Sequence, residues 1–222
     1  MWVIYERGLK FSMPLLKVIL GLALSYLIGS IPTAYIFGKL YRGIDIRQYG
    51  SGNIGATNVF RVLGKAPGII VLLIDISKGV VATALISSLF GLNQVISYVL
   101  LGLAAVIGHN WTIFLQFKGG KGMATSLGVL IGLTIKIALI RPVLIVSILI
   151  WLIVFLSSGY VSLASIISAV ILPILMVALT QSFELTVLGI IFCFFVVLRH
   201  RPNIKRLISK EEHRFNFPFK KK

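Results

Sequence analysis

"PVLIVSILIWLIVFLS", residues 142–157, contains no charged side chain and only two hydroxyl side chains. This run is nearly as long as the roughly 20 apolar residues that a membrane-spanning helix needs. The chain of 222 residues has the same character throughout, because 58% of its residues are hydrophobic and only 13% are charged. A soluble domain needs more polar surface, so the composition predicts an integral membrane protein.

The hydropathy pattern on both sides of this run predicts an all-α, polytopic integral membrane protein with about seven transmembrane helices. Only short loops separate the apolar segments, so residues 1–222 are predicted to form a single domain. Some segments are short or interrupted by Gly, Pro or polar residues, and half-spanning stretches are the alternative for these. The predicted segments are 14–37, 66–90, 94–116, 123–140, 142–157, 161–179 and 183–198.

The distribution of Lys and Arg predicts the orientation. If the N-terminus lies outside, sixteen of the 22 basic residues fall in the inner segments 38–65, 117–122 and 199–222. Basic loops stay on the cytoplasmic side, so the N-terminus is predicted outside and the C-terminus inside. Residues 1–13 form an N-terminal extension without a signal-peptide cleavage pattern, and 199–222 form a basic cytoplasmic tail. The net charge of +16 then favours membrane lipids and anionic substrates as partners, and not nucleic acid.

"RQYGSGNIGATNVFRVLGK", residues 47–65, is the first polar stretch on that inner side. Its glycines permit positive φ angles and a close approach of the backbone to a ligand. Its short polar side chains donate hydrogen bonds, and an arginine supplies a planar cation suited to phosphate. A capped turn between helices is the alternative interpretation. The candidate binding residues are Ser51, Asn53, Thr57, Asn58 and Arg61.

"FKGGKG", residues 117–122, is the second polar stretch, and it leads directly into an apolar helix. Glycine N–H groups before a helix N-terminus, with Lys118 and Lys121 beside Gly119 and Gly120, predict a phosphate-binding loop. The Walker A spacing is absent, so ATP is not indicated. The alternative is a basic turn at the membrane edge.

"RHRPNIKRL", residues 199–207, is the third polar stretch. It offers His200 and Asn203 as a candidate general base and phosphate ligand, although interfacial anchoring explains such residues as well. Ser162, at the inner start of segment 161–179, caps its helix or binds the same anion. All three stretches fall on one membrane face, which predicts a single anion-binding site there.

Three ionisable residues lie within the predicted segments. Asp75 and Lys78 are spaced to share one helix face and to pair, and His109 is suited to hydrogen bonding between helices. These three residues are predicted to have a structural or supporting role, and contact of Asp75 and Lys78 with substrate is the alternative. The three histidines and one cysteine are dispersed along the chain, so no metal site is predicted.

The polar stretches together resemble the acyl-phosphate-dependent glycerol-3-phosphate acyltransferase family of bacterial membranes. The matching pieces are "GSGNIGATNVFRVLGK" at 50–65, "GHNW…FKGGKGMATSLG" at 108–128 and "RHRPNIKRL…EEHRF" at 199–215. The resemblance covers residues 14–215. It implies a multi-pass enzyme of the bacterial cytoplasmic (inner) membrane, with seven spans, an active site facing the cytoplasm and no cofactor.

The implied reaction converts acyl phosphate and sn-glycerol 3-phosphate to 1-acyl-glycerol 3-phosphate and phosphate, the first acylation in phospholipid synthesis. By this resemblance, the catalytic residues are Ser51, Arg61 and His200. Ser51 and Arg61 hold glycerol 3-phosphate, and Lys121, His200 and Asn203 complete that anion site. Either His200 or the substrate phosphate removes the hydroxyl proton. The acyl-phosphate group is cradled by Asn53, Thr57, Asn58, Gly119, Gly120 and Ser162.

Two departures from the family pattern stand out. Pro202 replaces an acidic residue and is expected to stiffen the exit from the last apolar helix. About a dozen residues precede Met13, which is the expected family start.

The main rival function is a transporter or lipid-phosphate binder with the same anion site. Within the enzyme interpretation, a thioester of coenzyme A or acyl-carrier protein is the alternative acyl donor. A third possible function is that of a purely structural subunit, which leaves the clustered glycines and cations unexplained.

Overall fold

The chain folds into α-helices joined by short loops. The computed structural model describes residues 2–215, and the side chains of residues 15–215. The predicted basic tail therefore lies partly outside the described residues. The helices are α1 Trp2–Ser30, α2 Thr33–Arg42, α3 Ala56–Val62, α4 Lys65–Val80, α5 Ser87–Leu89, α6 Val95–Asn110, α7 Met123–Lys136, α8 Arg141–Ser158, α9 Val161–Ala178, α10 Phe183–Arg199 and α11 Arg201–Ile208.

Several of these helices are long and apolar enough to cross a membrane. Among the described residues, five segments meet that condition, and a sixth is formed if α10 and α11 are counted as one bent span. The five segments are Leu15–Arg42, Lys65–Leu89, Val95–Leu115, Ala138–Ser158 and Val161–Ala178. The all-helical membrane architecture predicted from the sequence is therefore confirmed.

The helix α7 is the exception. It is apolar but has only 14 residues, which at 1.5 Å per residue span about 21 Å, less than the roughly 30 Å of a bilayer core. The predicted count of seven spans stays a prediction, as does the orientation of the termini. Segment 66–90 also differs from a regular helix, because a π-helical stretch at Val81–Ile86 joins α4 to α5.

Prolines lie at two breaks between helices, one inside a predicted segment and one just after the last predicted segment. Pro32 separates α1 from α2 within the Leu15–Arg42 segment. Pro202 lies in the first turn of α11, where its missing N–H is tolerated, and α11 turns away from α10 by 60°. The second break places His200 at the bend, and the expected stiffening of this exit by Pro202 stays a prediction.

Glycines allow the helices to pack with their backbones in close contact. A Cβ atom on Gly29 of α1 would lie 2.1 Å from a carbonyl oxygen of α6, and one on Gly108 of α6 would lie 2.2 Å from a carbonyl oxygen of α1. The α4–α7 contact depends in the same way on Gly79 and Gly128. Small residues at helix contacts are typical of membrane proteins, where dispersion between closely packed backbones drives association.

We predict that Gly108→Ala lowers the thermal stability of the purified protein, because the new methyl group would press on the Tyr26 carbonyl oxygen and the Ser30 backbone nitrogen. Overpacking of this kind costs about 1–3 kcal/mol. Gly189→Ala is the matched control, since its Cβ would meet the nearest atom, in Pro173, at 3.3 Å. Melting temperatures measured in detergent test this prediction, and equal losses in both variants would contradict it.

Candidate functional site

Asn58 organises the first polar stretch. The buried side chain of Asn58 accepts a hydrogen bond from the Ser51 backbone N–H (2.8 Å) and donates to the carbonyl oxygens of Ile46 (3.2 Å) and Tyr49 (3.0 Å). Its amide is thus used to fold the loop, and Gly50 and Gly52 supply the required positive φ angles of 60° and 69°. Asn58 therefore positions Ser51, and its predicted contact with acyl phosphate stays a prediction.

Arg61 lies one helical turn after Asn58, near the end of α3. Its guanidinium has a lowered pKa, first because of partial burial, with Glu212 opposing the shift and Arg206 adding to it. Arg61 therefore shares its electrostatic environment with Arg206 of α11 and with Glu212, which follows that helix. Asn53 and Thr57 are half-buried in the loop and first turn of α3 before Arg61.

The glycine loop, residues 117–122, packs tightly against the end of α6. The Gly119 N–H donates to the Asn110 carbonyl oxygen (3.2 Å), and the Gly120 N–H donates to that of His109 (2.9 Å). The sequence pattern predicts that these N–H groups face an anion, but in this structure they are paired within the protein. The assignment of Gly119 and Gly120 to substrate binding stays a prediction.

Steric contact explains why glycine is needed at both positions. A Cβ atom on Gly119 would lie 2.1 Å from the His109 carbonyl oxygen, and one on Gly120 would lie 2.3 Å from the His109 ring and 2.5 Å from the Ile54 carbonyl oxygen. The Ile54 contact joins the first polar stretch to the glycine loop. The two stretches therefore meet, as predicted.

Lys121 connects the glycine loop to α11. Its ammonium donates to the Asn203 side-chain oxygen, and the Asn203 amide donates in turn to Glu212 at 2.7 Å. Burial lowers the pKa of Lys121 to about 8; Glu212 opposes this shift, while neighbouring arginines such as Arg206 and Arg61 strengthen it. By contrast, Lys118 is exposed and has no side-chain hydrogen bond or ion pair with the described residues.

Glu212 is the centre of this network, although the sequence analysis assigned it no role. Its carboxylate accepts hydrogen bonds from Ser162 (2.9 Å), Asn203 (2.7 Å) and Arg206 (2.8 Å), and its side chain is 5% exposed. Burial raises the pKa of this carboxyl, but the hydrogen bonds outweigh burial, so the net shift is downward. An acidic residue within a strongly basic tail was the signal that could have identified it.

A C-terminal strap, residues 209–215, carries Glu212 into place. At its end, the Phe215 N–H donates to the Gly159 carbonyl oxygen (2.8 Å), and the Arg214 guanidinium donates to that of Ser158 (3.0 Å). The strap therefore crosses from α11 to the loop between α8 and α9. That loop leads directly into Ser162, in the first turn of α9.

His200 occupies the bend between α10 and α11. Its ring is buried, and Nδ1 lies 2.8 Å from the Val196 carbonyl oxygen. A carbonyl oxygen can only accept, so Nδ1 carries a hydrogen and Nε2 of the neutral ring retains a lone pair. That geometry suits a general base.

Asp75, Lys78 and His109 form a buried cluster beneath the glycine loop. The Lys78 ammonium pairs with Asp75 at 2.5 Å and also donates to the carbonyl oxygen of Ile31 (2.7 Å), next to the α1–α2 break, and to the Thr33 hydroxyl. His109 Nδ1 lies 3.8 Å from the same carboxylate. The predicted pairing of Asp75 with Lys78 is confirmed, and the cluster ties α4 to the break and to α6.

The arrangement brings five of the predicted site residues into one network or under its electrostatic influence. Lys121, Ser162 and Asn203 belong to the Glu212 network, whose charges also act on Arg61 and His200. Cations and hydroxyl or amide donors around a small buried region are suited to holding phosphate groups.

Comparison with known proteins agrees with this chemistry. Residues 19–210 match the family model described as glycerol-3-phosphate acyltransferase. The chain is 45% identical over 216 residues to the glycerol-3-phosphate acyltransferase of Enterococcus faecalis, covering 93% of this chain and 96% of the relative. It is 43% identical over 196 residues to glycerol-3-phosphate acyltransferase 2 of Moorella thermoacetica, covering 88% of this chain and 96% of the relative.

Two solved structures have the same fold. Both are crystal structures of PlsY (YgiH), an integral membrane glycerol 3-phosphate acyltransferase. The glycerol 3-phosphate form superposes with a TM-score of 0.81 at 38% identity, covering 90% of this chain and 96% of that one. The lysophosphatidic acid form superposes with a TM-score of 0.78 at 37% identity, covering 90% and 95%. The chain therefore belongs to the glycerol-3-phosphate acyltransferase family of integral membrane proteins.

Proposed function

We propose that this protein transfers a fatty acyl group from acyl phosphate to sn-glycerol 3-phosphate at the cytoplasmic face of the bacterial inner membrane. The products are 1-acyl-glycerol 3-phosphate and inorganic phosphate. The observation that carries the proposal is the group of donors and cations around Glu212, because both substrates are anions and must be held close together. Family membership and the glycerol 3-phosphate form of the related PlsY structure support the choice of acceptor.

In the proposed reaction, a hydroxyl oxygen of glycerol 3-phosphate attacks the acyl carbonyl carbon, and the bond from that carbon to the phosphate oxygen breaks. The phosphate leaves with the bond's electron pair. The hydroxyl proton moves to His200 Nε2 or to the departing phosphate. An acyl phosphate is a mixed anhydride with a good leaving group, so direct attack needs no acyl-enzyme intermediate.

The protein's contribution is orientation and charge. Ser51 and Arg61 hold the acceptor phosphate, and Lys121 with Asn203 completes that site. Cations held in a partly buried region stabilise developing negative charge more strongly than cations in water do. Bringing both substrates into contact supplies a further part of the rate enhancement.

We expect purified protein in detergent to convert palmitoyl phosphate and glycerol 3-phosphate to lysophosphatidate, with equimolar release of phosphate. Palmitoyl-coenzyme A and palmitoyl-acyl-carrier protein, supplied separately, test the alternative donors. Product from a thioester alone would overturn the acyl-phosphate donor. Absence of product from every donor, in detergent and in lipid, would favour the transporter or lipid-phosphate binder.

Two substitutions test the assigned roles. His200→Ala should lower kcat by about 100-fold or more if the imidazole takes the proton, and Arg61→Ala should reduce turnover by a similar factor through loss of a charge-assisted contact. Lys65→Ala, which removes an exposed cation near Arg61, is the control and should retain activity. Wild-type turnover in either test variant would refute the role given to that residue.

The pKa of Lys121, about 8, predicts an alkaline limit to activity. Lys121 is charged below this pKa and neutral above it, so its attraction for phosphate is lost as pH rises through 8. We expect kcat/KM for glycerol 3-phosphate, which reports the free enzyme, to fall about tenfold per pH unit above that value. The Lys121→Arg variant stays protonated, so its kcat/KM should not decline above pH 8. An equal decline in the wild-type protein and in this variant would show that Lys121 is not the titrating group.

A further inference from the structure

Arg199, the last residue of α10, reaches from that helix to the glycine loop. Its Nε donates to the Gly120 carbonyl oxygen at 2.9 Å, and its Nη2 donates to that of Gly119 at 2.7 Å. Its guanidinium carbon lies 5.8 Å from the centre of the Trp111 ring. Trp111 in turn makes an edge contact with Phe195 of α10, at 5.3 Å between ring centres.

The loop is thus held from two sides. The N–H groups of Gly119 and Gly120 are bonded to the end of α6, and their carbonyl oxygens are bonded to Arg199. A backbone segment outside helices and strands lacks the regular hydrogen bonds of those elements. The contacts with α6 and Arg199 therefore fix the conformation of the glycine loop. Removal of the guanidinium would leave both carbonyl oxygens without this partner, which is costly for buried groups.

The position of Lys121 depends on this arrangement, because it directly follows Gly120 in the chain. Lys121 donates to Asn203, which lies in α11 beyond the bend at His200. Arg199 before the bend and Asn203 after it therefore both form hydrogen bonds with the glycine loop. These two contacts together fix the distance between the loop and the bend.

We propose that Arg199 is a positioning residue for the acyl transfer reaction: its two-pronged contact with the Gly119 and Gly120 carbonyl oxygens holds Lys121 in the geometry that binds phosphate. This inference rests on the proposed function. Arginine is required because its planar fork matches two successive carbonyl oxygens, whereas a lysine ammonium is a single point donor.

The competing explanation is that Arg199 only adds positive charge to the anion site. Arg199→Lys separates the two possibilities, since lysine keeps the charge but loses the fork. Arg199→Met removes both. Arg201→Lys is the matched control, because Arg201 is exposed and has no hydrogen bond or ion pair with the described residues.

The experiment combines hydrogen–deuterium exchange with steady-state kinetics on the full-length protein in detergent. In Arg199→Lys, we expect amide exchange of a peptide covering residues 117–123 to accelerate about tenfold or more, while peptides from α8 and α9 stay unchanged. KM for glycerol 3-phosphate should rise about tenfold, more than kcat falls, because Lys121 is displaced. Arg199→Met should accelerate amide exchange and raise KM more than Arg199→Lys does. In Arg201→Lys, both the exchange rate and KM should stay within twofold of the wild-type values.

Wild-type exchange and wild-type KM in Arg199→Lys would overturn the proposal in favour of charge alone. Uniformly faster exchange across all helices would also overturn it, by showing a general loss of folding. If the wild-type protein yields no acylated product, the proposed function fails, but the exchange measurement still tests whether Arg199 holds the loop.

Discussion

The carboxylate of Glu212 is the acceptor on which the geometry of the candidate site depends. Cations that are partly removed from water repel one another and lose hydration, so their clustering needs a buried opposite charge. Glu212 provides that charge and receives hydrogen bonds from both α9 and α11. Through Asn203 it also fixes the ammonium of Lys121. One anion thus organises donors from three separate parts of the chain.

Broken helices supply the space in which this network forms. A continuous helix satisfies its own backbone groups and presents only side chains, whereas a break frees carbonyl oxygens that need donors. Lys78 donates to the Ile31 carbonyl oxygen next to the Pro32 break. After the bend at His200, Asn203 accepts a hydrogen bond from Lys121 of the glycine loop. Polar side chains therefore gather where the helices stop, and Lys78 shows how such a side chain can pair with a freed carbonyl oxygen.

Hydropathy predicted the helices well, because a long apolar run has few alternatives in a membrane. It could not settle the role of α7, whose 14 residues lie between a full span and a half-span. The positions of Asp75 and Lys78, three residues apart, correctly predicted their ion pair, since helix geometry alone determines it.

The site was less predictable because it depends on contacts between distant segments. Local sequence suggested that Gly119 and Gly120 expose N–H groups, but the end of α6 pairs with those groups. The side-chain amide of Asn58 folds the loop around Ser51, a role that local sequence did not indicate. Glu212 joins α9 to α11 through a partner about 50 residues away, and Arg199 holds the glycine loop about 80 residues away. No local sequence pattern encodes contacts over such distances.

The C-terminal strap has a consequence for how the protein is made. Glu212 and Phe215 follow every candidate span in chain order, and synthesis proceeds from the N-terminus. The donors on α9 and α11 are therefore synthesised before their common acceptor. The Glu212 network can therefore form only after these candidate spans have been synthesised, and a chain that stops before Glu212 has the donors without the carboxylate that arranges them.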